Sequence, residues 1–370
     1  MSAPAVIVIG AGCVGASVAY RLARDGARVT VLDAGAPGAG TSSVSFAWTN
    51  SFGKTPRAYH DLNVAGMAEH DRLAEELGGS WLHRSGNLEW EETPEAQAEL
   101  RRTVERLRAW DYAVEMVRPE EALRLEPELR IGPGVEEVAH APREGYVDVV
   151  PLVAALLAAA ARLGARVLAG QRVTAVLRDG DRIRGVVTAD GGRLEADQVV
   201  DCAGPAAGEV ARLAGVALPI DGEAGRLIYT APVATTLSRP VHAPGVQFRP
   251  DGGGRVVLSD ARHDLLVDQA PADGWTPQHS LEAAARYLPC LAGARVEATR
   301  TGVRPMPRDR HPVVGPVPGL EGFYVVVSHS GVTLGPLWGR IAAAELLDGK
   351  RDPRLDPFRP DRFLTSSRRD

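Results

Sequence analysis

Val6-Ile7-Val8-Ile9-Gly10-Ala11-Gly12-Cys13-Val14-Gly15 is the stretch on which the fold turns. Its β-branched run over residues 5–9 predicts a strand buried on both faces, and apolar spacing over 14–24 predicts a helix. Residues 28–32 predict a second strand ending at Asp33, so the three elements form one βαβ unit. Gly10 permits a tight turn, Gly12 lets the backbone approach a pyrophosphate, and Gly15 lets helix pack closely on strand. The helix N-terminus then offers its amides to the phosphates. Asp33, with Ala34 beside it, lies where a ribose would present its hydroxyls, and its carboxylate disfavours a 2′-phosphate. Strand, helix, strand and acid in this order predict a dinucleotide site; a glycine-rich turn without a ligand is the bland alternative.

A second glycine-rich stretch lies far along the chain, as Ser328-His329-Ser330-Gly331-Val332-Thr333-Leu334-Gly335-Pro336. A nicotinamide dehydrogenase needs the first stretch alone. A flavoprotein that folds its C-terminal segment back onto its cofactor needs both.

Between the two, a small-residue loop over 34–45 leads to Phe46-Ala47-Trp48-Thr49-Asn50 and a predicted helix over 58–77. Residues 81–139 mix a short strand (87–90) with a charged helix (95–109), in the manner of an inserted lobe. Residues 146–164 read as strand into helix, with Pro151 in the first turn, where a proline is tolerated. Three strands over 172–178, 182–188 and 193–201 suggest a meander, with turns at Asp179-Gly180 and Gly191-Gly192. Residues 220–300 are strand-rich, and the Arg/Pro/Asp-rich tail after Asp352 reads as loosely ordered. The fold class is mixed α/β. A nucleotide-binding α/β lobe is assigned 1–80, 140–220 and 300–370, and an antiparallel-sheet substrate lobe 81–139 and 221–299.

With 45% hydrophobic and 24% charged residues, the 370-residue chain has enough apolar surface for a sizeable core. A net charge of −5, with arginines scattered among acids, argues against a nucleic-acid partner. Three cysteines without CxxC spacing disfavour a disulfide framework or zinc site and fit a reducing cytoplasm. The apolar N-terminus lacks a basic leader, and no apolar run approaches the ~18 residues of a membrane span. Oligomeric state is not legible.

Taken together these stretches resemble the D-amino-acid oxidase superfamily of FAD-dependent oxidoreductases, in its glycine oxidase and sarcosine oxidase branch. The matching segments are the first βαβ unit, Thr41-Ser42-Ser43, Gly145-Tyr146-Val147-Asp148 and Val199-Val200-Asp201-Cys202-Ala203-Gly204. Gly302-Val303-Arg304-Pro305 and the stretch Gly331–Pro336 complete them. The resemblance implies FAD with Thr41, Ser42 and Ser43 near its diphosphate and flavin, and Val173 touching the adenine. Ala203 and Gly204 would line the cofactor. The amides of Gly331, Val332, Thr333 and Leu334 would face the flavin pyrimidine edge, where they stabilise negative charge on the reduced ring.

The same resemblance assigns Arg304 to a substrate carboxylate, against the alternative of a structural ion pair. His329 either contacts substrate or caps its strand, and Tyr229 either faces the pocket or packs. Trp48, Asn50 and Lys54 follow the flavin-side loop, with Lys54 expected in solvent. Met306-Pro307-Arg308-Asp309 lacks the cysteine through which sarcosine oxidases tether FAD, which implies non-covalent FAD. His329-Ser330 stands where glycine oxidases carry a second arginine, which puts glycine itself in doubt. The implied reaction oxidises the C–N bond of an amino acid or N-substituted amino acid, with oxygen or another acceptor taking the electrons. The alternatives are an NAD(P)-dependent dehydrogenase, a flavoprotein subunit feeding a partner protein, and a nucleotide-binding regulator.

Overall fold

A computed structural model describes residues 3–260 and 274–364. Ala5–Ile9 lies inside a six-stranded sheet, paired in parallel with Arg28–Leu32 on one side and Gln198–Asp201 on the other. Arg166–Leu168 and Phe323–Val327 continue it in parallel, and antiparallel Val313–Pro316 closes one edge. Both faces are covered, which is why these strands read as unbroken apolar runs. Val6, Val8, Val31 and Val326 pack with residues of the helices Cys13–Arg24, Val149–Arg162 and Gly331–Asp348. Ile7, Ile9, Val199 and Val325 pack on the other side with the meander and the short helix Ala207–Leu213. Each such buried side chain stabilises by about 1.5–3 kcal/mol.

The strand predicted over 193–201 is two strands. Arg193–Glu195 closes the meander with Val173–Asp179 and Arg182–Thr188, whereas Gln198–Asp201 enters the central sheet. Asp197 divides them: its N–H donates to the Ala5 carbonyl, and its carboxylate accepts the Ala5 N–H at 2.8 Å.

The second large sheet has eight strands, in the order Val296–Pro307, Ile220–Thr230, Val256–Ser259, Val246–Pro250, Val241–Ala243, Leu88–Glu89, Val138–His140 and Glu115–Val117. Its pairings are antiparallel except where Leu88–Glu89 meets Val241–Ala243. The boundary placed at residue 300 falls inside Val296–Pro307, which pairs along its length with Ile220–Thr230. On one face Leu88, Val241, Phe248, Leu258 and Ile228 form an apolar core with Leu281 and Leu288. Strand alternation turns their neighbours to the opposite face, which belongs to the site.

Two helices that begin at the glycine-rich stretches cross each other closely. A Cβ on Gly339 would lie 2.4 Å from the Ser17 carbonyl oxygen, and one on Gly335 3.0 Å from Cys13 Sγ. The helix Arg57–Leu77 approaches the same C-terminal helix through Gly66, whose Cβ would meet the Thr333 carbonyl at 2.6 Å.

The tail expected to be loose is packed through residue 364. Leu355 and Phe358 are buried, and Arg359 is paired with Glu345 at 2.5 and 2.8 Å. The apolar pair and the buried ion pair outweigh the polar composition on which the expectation rested. Residues 365–370 of that tail lie outside the described residues. Among the described residues, no helix is long and apolar enough to cross a membrane.

Candidate active site

Gly10 adopts φ +100°, and a Cβ there would lie 2.4 Å from the Cys202 carbonyl oxygen. The first glycine turn therefore presses against Cys202-Ala203, so Ala203 and Gly204 share its cleft. Gly204 has φ +57° and open space where a Cβ would be. Gly15 is closer still, its Cβ position 1.9 Å from the Gly10 carbonyl oxygen. Gly12 caps the first helix without a side chain, and the Ser42 hydroxyl accepts the Cys13 N–H at 2.9 Å at the helix mouth. Asp33 accepts the amides of Ala11 at 2.7 Å and Gly35 at 2.8 Å, which leaves lone pairs for a ribose. Ala34 beside it is exposed. The Gln171 N–H donates to the Asp33 carbonyl, which brings the segment leading to Val173 alongside.

Gly331–Leu334 form the first turn of the C-terminal helix rather than a loop. Ser330 caps this helix without a side-chain bond, which leaves the amides of Gly331, Val332 and Thr333 to face outward; Leu334, expected with them, instead donates its N–H to the Ser330 carbonyl at 2.9 Å as the first bond of the helix. Around the turn, Thr333 Oγ1 accepts the Asn50 N–H at 3.4 Å, and Val332 O accepts His70 Nε2–H at 2.8 Å. Thr41 donates to the Val303 carbonyl, and a Cβ on Gly302 would lie 2.9 Å from the Val44 carbonyl. These contacts draw Thr41 and Val44 toward the Gly302–Pro305 strand, while Ser42 stays at the mouth of the first helix. Ser43 instead turns back onto the carbonyls of Ala39 and Gly40.

The inner face of the eight-stranded sheet forms the far wall. Register places Glu89, His242, Gln247 and Ser259 in one row, and Arg249, Val257 and Tyr229 in the next. The Trp48 ring lies 4.0 Å from that of His242, and Arg249 donates to the Phe46 carbonyl at 2.6 Å, so this face meets the 46–50 loop. Tyr229 is therefore on the pocket side, with the Arg300 guanidinium 5.3 Å from its ring. Glu89, His242, Gln247 and Arg249 were not singled out from sequence. Alternation of polar with apolar residues along short strands was the available signal.

Trp48 is anchored by Glu144, which also accepts the amides of Ser51 and Phe52 and the Tyr112 hydroxyl. Burial pushes the Glu144 carboxyl up to about 7, against the lowering by these bonds. Burial, with Glu144 and Glu91 nearby, pushes Glu89 up to about 8 from an ordinary 4.5. The folded state thus holds a proton that the unfolded chain releases, so Glu89's contribution to stability is whole below the ordinary value and lost as pH rises through about 8. A Glu89→Gln variant, which does not titrate there, should gain steadily on the wild type in thermal unfolding between pH about 5 and 8. A difference that stays constant with pH would remove Glu89 from this role.

Arg304 sits at the cleft edge, directly across from Glu223, with Nη2 3.1 Å from its carboxylate and 3.0 Å from the Ala224 carbonyl. Glu223 also pairs with Arg310 at 3.0 Å. The ion-pair alternative for Arg304 is thus present in the structure. His329 lies next to this group. His329 is exposed, yet the surrounding protein and then Lys54, Arg304 and Arg310 lower its pKa to about 4. It is neutral at pH 7. Lys54 is half-buried and not in solvent as expected, with Nζ 6.0 Å from the Tyr59 ring centre. The Tyr59 hydroxyl pairs with Ser330 at 2.7 Å, which ties this face to the flavin turn.

The cleft suits an extended dinucleotide. Two helix N-termini open into it, glycines floor it, and Asn50 Oδ1 and Ser328 Oγ are buried there without a protein partner among the described residues. The family profile for DAO, FAD dependent oxidoreductase, matches residues 5–345. The chain belongs to this family. It is similar to glycine oxidase of Pseudomonas aeruginosa, at 31% identity over 95% of this chain and 96% of that protein. The crystal structure of glycine oxidase from Geobacillus kaustophilus superposes with a TM-score of 0.86, at 26% identity over 97% of this chain and 99% of that one. L-proline dehydrogenase from P. horikoshii shares the fold, with a TM-score of 0.87 at 22% identity over 98% of each chain. This DAO-family protein is an FAD-dependent oxidoreductase of mixed α/β fold. Membership explains why both glycine-rich stretches are present: a nicotinamide enzyme would leave the second without a task.

Proposed function

We propose that this DAO-family protein oxidises the C–N bond of an amino acid or N-substituted amino acid, through the cleft bounded by the two glycine turns, Arg304 and the inner sheet face. The observation that carries this reading is the convergence of the Gly331 helix end and Arg304 on one cleft. Similarity to glycine oxidases along nearly the full chain supports it. FAD, held without a covalent link, would supply the two-electron acceptor for a hydride leaving the carbon beside the substrate nitrogen.

The chain's own residues bind and orient. Gly10, Gly12, Gly15, Ser42, Ala203 and Gly204 hold the diphosphate side, Asp33 the ribose and Val173 the adenine. Arg304 takes the substrate carboxylate in its planar fork. It can turn from Glu223 without stranding that acid, because Arg310 still holds it. Neutral His329 can accept a hydrogen bond from the substrate nitrogen, and the positive charges of Lys54, Arg304 and Arg310 around it favour the free amine over the ammonium. Asn50 offers its buried amide oxygen beside the flavin turn, while Trp48 and Tyr229 exclude water and fix the reacting carbon. The amides of Gly331, Val332 and Thr333 stabilise negative charge gathering at the helix mouth. The product imine hydrolyses to a keto acid or aldehyde, and oxygen or another acceptor regenerates the cofactor.

The test is an anaerobic titration of the purified protein with D-, L- and N-methyl amino acids, followed in the visible flavin band near ~450 nm. Bleaching by one class names the substrate. Flavin bands that no amino acid bleaches would move the substrate outside amino acids.

A further inference from the structure

We propose that Lys54 binds a second anionic group of the substrate, so that the preferred substrates are amino acids with two carboxylates, one on Cα and one on the side chain or nitrogen substituent. This rests on the amino-acid reading above and adds a specificity residue to it.

Lys54 follows the 46–50 loop, and its ammonium lies over Tyr59, whose hydroxyl is bonded to the cap of the flavin-side helix. It is close enough to His329 to lower that ring's titration, as Arg304 does. The two cations therefore stand on one histidine and one cleft. They differ in their partners. Arg304 has Glu223 at 3.1 Å, whereas no carboxylate forms an ion pair with Lys54 among the described residues.

Neighbouring acids are committed elsewhere. Glu144, the one acid that raises the Lys54 titration, already accepts bonds from Trp48, Ser51, Phe52 and Tyr112. Glu223 is divided between Arg304 and Arg310. Burial lowers the Lys54 pKa, the sign of an ammonium taken from water without a counter-ion. Among the described residues Arg304 and Arg310 share Glu223, and Lys54 has no carboxylate of its own within ion-pair distance. A monocarboxylate on Arg304 leaves Lys54 uncompensated in a narrowing cleft. A dicarboxylate answers both cations, and the fixed spacing between them selects chain length.

The test uses unreactive carboxylates on the FAD-loaded enzyme, with binding read from perturbation of the flavin spectrum. Wild-type protein should bind malonate or succinate at least about tenfold more tightly than acetate. In Lys54→Met that ratio should fall to about one while acetate binding stays within about twofold, and Lys54→Arg should restore most of it. Lys54→Gln provides the same reading if the methionine variant does not fold. Absence of a dicarboxylate preference in the wild type overturns the proposal. So does an equal weakening of acetate and succinate, which would make Lys54 the anchor of the Cα carboxylate, or a shifted flavin potential with unchanged selectivity. If no amino acid bleaches the flavin yet succinate binding depends on Lys54, the amino-acid reading falls and the anion site stands. Bleaching by monocarboxylic amino acids with no gain from a second carboxylate gives the reverse.

Discussion

An Arg304→Ala enzyme should remain yellow yet lose about two to three orders of magnitude in kcat/KM toward its carboxylate substrate. The guanidinium contributes to substrate binding and to orientation of the reacting carbon, so both KM and kcat are affected. The fold should lose little. Glu223, left behind, keeps Arg310 at 3.0 Å, and the cross-strand register of Val296–Pro307 with Ile220–Thr230 does not depend on the side chain. Gly225 shows that the guanidinium's resting place is built: a Cβ there would come within 3.2 Å of Arg304 Cζ and Nε. Arg304→Lys tests geometry separately, since a point charge replaces a two-pronged donor. Steady-state kinetics beside the ratio of flavin to protein absorbance decide the matter. An unchanged kcat/KM with FAD retained would take Arg304 out of substrate binding and leave it as the partner of Glu223.

A Gly15→Ala protein should purify without FAD and resist reconstitution. The added Cβ would sit 1.9 Å from the Gly10 carbonyl oxygen and 3.3 Å from the Cys202 Cβ. The first contact is with backbone, which cannot swing aside as a side chain can. Relief requires the helix to lift from the strand, which moves its N-terminus off the phosphates. Overpacking of this kind costs about 1–3 kcal/mol in stability, and the displaced amides add a loss of cofactor affinity. Gly134→Ala serves as control, because its Cβ position is open. Normal FAD content in Gly15→Ala would show that the turn tolerates the shift and that cofactor affinity lies elsewhere.

The parts of this fold legible in the sequence are those dictated by local steric rules. Gly10, Gly12, Gly15 and Asp33 announce a βαβ unit because a tight turn, a close approach and a capping acid each require one residue type. The fold class follows from that unit, and FAD as cofactor from the family resemblance that the second glycine stretch and the other matching segments carry. The substrate wall was far less legible. Leu88–Glu89 and Val241–Ala243 are too short to show a period, and what turns Glu89 and His242 inward is their register with one another. Lys54 misled because a lysine in a Gly-Lys-Thr-Pro loop normally reaches water; only the fold of residues 46–59 over the cleft shelters it. The tail misled likewise, since its order depends on Glu345, a residue on another element.

The crossing at Gly335 and Gly339 ties the order of synthesis to the making of the holoenzyme. The first glycine turn leaves the ribosome some three hundred residues before the helix that completes the cleft. Until then the face of the Cys13 helix that meets Gly339 is uncovered. A ribosome-bound chain lacking residues beyond about 330 should not retain FAD. Each newly made molecule passes through a period as an open apoprotein with its two ends unjoined. A cofactor that bridged those two turns would act as the last staple of the fold as well as its reagent.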